Sequence, residues 1–121
     1  MKAVLTLLAS YVLFSAAIYV ADADDKEVCN SGICVVEFNA SFNSQNSVPW
    51  IEDLNDCQTN RVDIAAAPDL QKEHKIVVVP TIVVFSEGEE VKRFQANIMM
   101  TMEASKKDVQ SAVDEVMMSD F

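Results

Sequence analysis

The chain has 121 residues, enough for one domain with a core of its own and too few for a second independent one. Half of the residues are hydrophobic beside a formal net charge of -10, a composition that excludes a disordered polyelectrolyte. Nine Lys and Arg in the whole chain exclude a nucleic-acid interface, which depends on clustered positive charge.

Residues 3–21 carry no charge, follow a lone Lys2 and run into Ala21-Asp22-Ala23, whose small residues suit signal-peptidase cleavage. The expectation is a signal peptide over 1–23 and a single domain over 24–121. The stretch is also long enough to serve as a membrane anchor if it stays uncleaved. Residues 24–32 are polar and predict a flexible lead, with order beginning near Ile33.

Cys29, Cys34 and Cys57 are the three cysteines, so at most one internal disulfide can form. No C-x-x-C is present. Asn30-Ser31-Gly32 is a turn-forming stretch that can bring Cys29 to Cys34, and Cys34 with Cys57 is the competing pair. Three cysteines and the lone His74 lack the paired spacings of a zinc site, and no cofactor is expected. His74 is expected at the surface.

Ile33 to Phe38 is an apolar run broken only by Glu37, the pattern of a strand covered on both faces. Asn39 to Ser47 is a polar loop that contains the N-glycosylation sequon Asn39-Ala40-Ser41. Ser47 as cap, Pro49 in the first turn, and Trp50, Ile51 and Leu54 at helical spacing predict a short helix ending near Cys57. Arg61 to Ala65 predicts a strand, and Pro68 to about His74 a second short helix. Within Ile76 to Phe85 (IVVVPTIVVF), Pro80 cannot donate a ladder hydrogen bond, so the strand should start at Thr81. A turn at residues 86–89 leads to a hairpin partner over Val91 to Gln95, with Val91 and Arg93 on one face and Lys92 and Phe94 on the other. Met99, Met100 and Met102 then either pack in the core or form an adaptable surface. Ser105 to Asp108 has the form of a capping box, and Val109, Ala112, Val113 and Val116 stripe a C-terminal helix.

The order βαβ, a short helix and ββα demands a right-handed crossover with a hairpin added to the same sheet, so helices cover both faces. Val79-Pro80-Thr81, the strand Ile82 to Phe85 and Gly88 resemble the cis-proline loop, strand and turn of the thioredoxin-like superfamily. Asp63 to Pro68 stays in register with that family, and Val36 to Phe42 is similar to the protein disulfide isomerase version of the strand that delivers its active site. The resemblance covers roughly residues 33–116. It implies an α/β fold, a three-layer α/β/α sandwich with a mixed four-stranded sheet, shortened at the N-terminus and in the first helix.

In that register the family's C-x-x-C falls on Asn43, Ser44, Gln45 and Asn46. Thiol–disulfide exchange needs one thiolate to attack and a second thiol to resolve the mixed disulfide, and amides do neither. Glu37 matches the buried carboxylate that serves proton transfer in isomerase-like members, and Arg61 matches the neighbouring lysine, so the resemblance implies a Glu37–Arg61 charge pair. It also implies a polypeptide-binding groove at Phe42, Trp50, Val79 and Pro80, used by strand addition.

The function expected is a redox-inactive member of the secretory pathway, secreted or resident in the endoplasmic reticulum lumen, that binds polypeptide or a protein partner. The chain ends Ser119-Asp120-Phe121, without a Lys-Asp-Glu-Leu type of signal. Membrane contact is expected only from an uncleaved leader. The alternative is an unorthodox oxidoreductase using Cys29, Cys34 or Cys57. An acidic calcium store is disfavoured by scattered acids and the lack of an EF-hand pattern.

Overall fold

The computed structural model describes residues 28–119; the expected signal peptide and the first residues of the polar lead lie outside them. Strand β1 (Ile33–Asn39) is buried from Cys34 onward. Alternation sends Cys34, Val36 and Phe38 into one apolar cluster and Val35 into another, so β1 is the wall between two cores. It pairs in parallel with β2 (Gln58–Asp63) and antiparallel with β3 (Thr81–Ser86), which pairs antiparallel with β4 (Glu89–Gln95). The resulting sheet has the order β2-β1-β3-β4, a mixed four-stranded sheet as expected.

One face is covered by Ala40, Ile64, Ile76 and Val79; the short helix α1 (Pro68–Glu73) between Ile64 and Ile76 has no fully buried residue. The other is covered by Val48, Ile51, Leu54 and helix α2 (Lys106–Ser119), which buries Val109, Ala112 and Val113. The capping box forms at the start of α2: the Ser105 N–H donates to Asp108 Oδ2 at 2.8 Å, and the Asp108 N–H donates to Ser105 Oγ at 3.2 Å.

Four expectations need correction. The helix expected from Ser47 to Cys57 is absent: its span holds only a 3-10 turn at Ile51–Asp53, and another 3-10 turn, Ser41–Asn46, forms in the loop before it. Val48, Ile51 and Leu54 are all buried in the second core, although only Ile51 lies within a 3-10 turn and Leu54 is already extended. The second strand runs Gln58–Asp63 rather than 61–65. As an edge strand it exposes most of its side chains, so apolar alternation does not mark it. Its end is set where Asp63 Oδ1 accepts the Ala65 N–H at 2.9 Å and turns the chain. The lead is fastened from Val28 onward, because Val28 and Cys29 pack on the first core. Finally, His74 is a wedge rather than a surface residue, its ring 5.3 Å from Phe38 and 5.4 Å from Phe85 between centroids.

The β3–β4 turn also holds the lead. Glu87 and Gly88 take positive φ values of 52° and 83°. The strain at Glu87 is offset by two bonds to one residue: its N–H donates to Gly32 O at 2.9 Å and its carboxylate accepts the Gly32 N–H at 2.8 Å.

Candidate functional site

At the C-terminal end of β1 the chain enters the 3-10 turn carrying Asn43, Ser44, Gln45 and Asn46. Asn43 is buried and sits at the centre of an amide network. Its Nδ2 donates to Asn39 Oδ1 at 3.2 Å and to the Met100 carbonyl at 3.1 Å, while its Oδ1 accepts from Asn46 Nδ2 at 2.8 Å. Asn39 Nδ2 returns bonds to the Asn43 carbonyl and to Ser47 Oγ. Every polar atom of the Asn43 side chain is occupied. The network's mechanical effect is to tie the turn to the loop before α2. Asn39, the residue of the sequon, is itself buried, with its Nδ2 engaged in the bonds to the Asn43 carbonyl and Ser47 Oγ.

Beside the network opens an apolar groove of about 390 Å³. Phe42, Ile64, Val77, Val79, Ile98 and Met100 are among its lining residues. Phe42 is 73% exposed, Val77 77% and Ile98 98%, so large apolar side chains stand open to solvent along one edge. Ile98 is held out by a tight loop in which Asn97 Oδ1 accepts the Met99 N–H at 2.9 Å, the Thr101 N–H at 3.2 Å and the Thr101 hydroxyl at 3.0 Å. Of the four residues expected to bind polypeptide, Phe42 and Val79 line this groove. Pro80 follows a cis peptide bond and is itself fully buried. Trp50 is corrected: it packs against the core on the opposite face of the sheet, where Val35 and Ile51 lie. The methionines divide, with Met99 exposed, Met100 in the groove and Met102 packed on that second core. Val77 and Ile98 went unmarked in the sequence. Val77 reads there as one more core valine, and nothing local distinguishes Ile98.

Glu37 lies on the other side of β1, 1% exposed, opposite Arg61 in the parallel register. Arg61 Nη1 donates to Glu37 Oε1, and Nη2 donates to the Val48 carbonyl and to Glu52 Oε1, each at 2.8 Å. The second Glu37 oxygen accepts the Val48 N–H at 2.7 Å. Burial pushes the Glu37 carboxyl above its ordinary pKa, opposed by the Val48 N–H and by the Arg61 charge. Hydrogen bonding from Arg61 holds the exposed Glu52 below the usual carboxylate range. The fork therefore joins β2 to the Val48–Glu52 stretch across a buried carboxylate.

The sulfur chemistry is elsewhere. Cys29 and Cys34 are bridged, while Cys57 is a free thiol. Cys34 is the second residue of β1 and Asn39 its last, so about 17 Å of strand separates the disulfide from the amide network. Burial, with the Asp56 charge adding, pushes the Cys57 thiol pKa up and lowers its thiolate fraction. Among the described residues no group of three His, Cys, Asp or Glu side chains is placed to hold a metal ion, and no helix is long and apolar enough to cross a membrane.

No family model matches the sequence, and no curated protein does. Solved structures do. A point mutant of thioredoxin from Halobacterium salinarum NRC-1 superposes with a TM-score of 0.62 at 18% identity, over 74% of this chain and 80% of that one. Schistosoma mansoni thioredoxin gives 0.58 at 19% identity over 74% and 81%, and Fasciola hepatica thioredoxin 0.56 at 19% over 84% and 92%. The chain has a thioredoxin-like fold.

Proposed function

We propose that this chain is a polypeptide-binding protein of the secretory route that works without dithiol exchange, seating an extended apolar segment in the groove between Phe42, Val77 and Ile98. The observation that carries this reading is the groove itself, whose rim leaves those three large side chains mostly exposed. Covering an apolar side chain of that size contributes about 1.5–3 kcal/mol before the entropy lost on association. Among the described residues no hydrogen bond uses the N–H or C=O of Val77 or the N–H of Val79, which leaves main-chain groups for a strand laid alongside. Entry to the secretory route is supported by the uncharged run 3–21 and by the Cys29–Cys34 bridge, a linkage that persists in oxidising compartments.

Calorimetry or fluorescence anisotropy with a short Val- and Leu-rich peptide tests the groove. Binding that falls about tenfold or more in Val77→Asp and Ile98→Asp supports it. Absence of binding at millimolar peptide, or binding indifferent to both substitutions, rules it out. A second reading is favoured by the disulfide alone: reduced Cys29 or Cys34 as attacking thiol toward a substrate disulfide, the other resolving the mixed disulfide. Insulin reduction with turnover, abolished by Cys34→Ser, is the result that would establish this alternative.

A further inference from the structure

We infer that the groove selects apolar segments flanked by Lys or Arg, a conclusion that rests on the polypeptide-binding reading of the same site. The residues that line it are uncharged, so any charge preference must come from their neighbours. Two carboxylates touch the lining directly. Asp63 Oδ1 accepts the N–H of the lining residue Ala65 at 2.9 Å and that of Ser41, next to Phe42, at 3.3 Å. Glu103 Oε2 accepts from Nδ2 of the lining residue Asn97 at 2.9 Å, beside Ile98. Among the described residues neither carboxylate is in a salt bridge with this chain's own cations. Each has a second oxygen to offer a ligand.

Over the segments that flank the groove, 63–75 and 97–103, the charges are Asp63, Asp69, Glu73 and Glu103 against Lys72 and Lys75. The local balance has the same sign as the whole chain, whose net charge is -10. A segment with cationic flanks is thus drawn in at long range and gains a carboxylate contact at Asp63 or Glu103 once seated, while an acidic flank meets repulsion at both. The apolar middle supplies affinity and the flanks supply choice.

Three fluorescein-labelled peptides with one shared five-residue Val/Leu core and Lys-Lys, Ser-Ser or Glu-Glu on each side separate these contributions by anisotropy. At 50 mM NaCl the basic peptide should bind about fivefold tighter than the acidic one, and the gap should close at 500 mM. Asp63→Asn and Glu103→Gln keep the acceptor oxygens used by Ala65, Ser41 and Asn97, so they spare the local structure. Each should narrow the gap about twofold. Equal affinity for all three peptides at low salt would overturn the charge preference and leave the groove standing. Failure of all three to bind would overturn both.

Discussion

The two ends of strand β1 are closed by different chemistry. At its start Cys34 is covalently tied to Cys29, and that short loop is clamped to the β3–β4 turn through Glu87 and Gly32. At its far end, where the thioredoxin-like resemblance places reactive sulfur, stand amides that bond only to one another, to Ser47 and to the Met100 carbonyl. Among the described residues the sulfur-bearing end borders only a smaller, mainly polar pocket of about 230 Å³, lined by Cys29, Cys34 and Gln58 among others. The amide end is held just as firmly but borders an open apolar surface. The comparison teaches that the covalent constraint and the open apolar surface lie at opposite ends of one strand.

The largest effect at the amide end should come from Arg61. Arg61→Ala leaves the Glu37 carboxylate buried without its cation, and urea unfolding at pH 7 should show a loss of about 3 kcal/mol. The loss should shrink toward pH 4, where Glu37 can fold protonated. At the other end, Cys29→Ser opens a six-residue loop and should cost about 2 kcal/mol in the same experiment while leaving peptide affinity unchanged. A fall in affinity there would break the division between the two ends.

Asn43→Ala should cost about 1–2 kcal/mol by leaving the Met100 carbonyl and Asn39 short of a partner. Unlike the cysteine variant it should also weaken peptide binding, because the loop that carries Ile98 loses its tie to the Ser41–Asn46 turn. The smallest effect is one of pH. The folded-state pKa of Glu37 is raised, so its contribution favours folding below the ordinary carboxylate pKa and is lost as pH rises through the folded value. The stability of Glu37→Gln relative to the parent should therefore rise between pH 4 and pH 7. Glu52, Glu90 and Asp108, whose pKa values are lowered, act oppositely, their contribution disappearing as pH falls. Only the difference between the two proteins isolates Glu37.

The sequence was most informative where burial and backbone chemistry act together. ICVVEF could only be an internal strand, Pro80 forced β3 to begin at Thr81, and Ser105 with Asp108 announced α2. It was least informative between Asn43 and Asp63. There Trp50, Ile51 and Leu54 have helical spacing although only a single 3-10 turn forms, and an edge strand lacks apolar alternation. For the candidate site, the absence of C-x-x-C was visible in the residues, and the Glu37–Arg61 pair followed from the thioredoxin-like resemblance. The groove wall was not, because exposure of Val77 and Ile98 depends on how two distant loops meet. Trp50 misled for the converse reason: proximity in sequence to the replaced motif does not decide which face of the sheet a side chain joins.

The most direct measurement is a titration of the 15N-labelled protein with an apolar peptide, followed by amide chemical shifts. Binding in the groove predicts saturable shifts at Val77, Val78, Val79 and residues 97–101, with Cys29, Cys34 and Cys57 unmoved. Shifts centred on the cysteines, or a peptide left covalently attached through sulfur, would contradict the assignment of function to the amide end of β1.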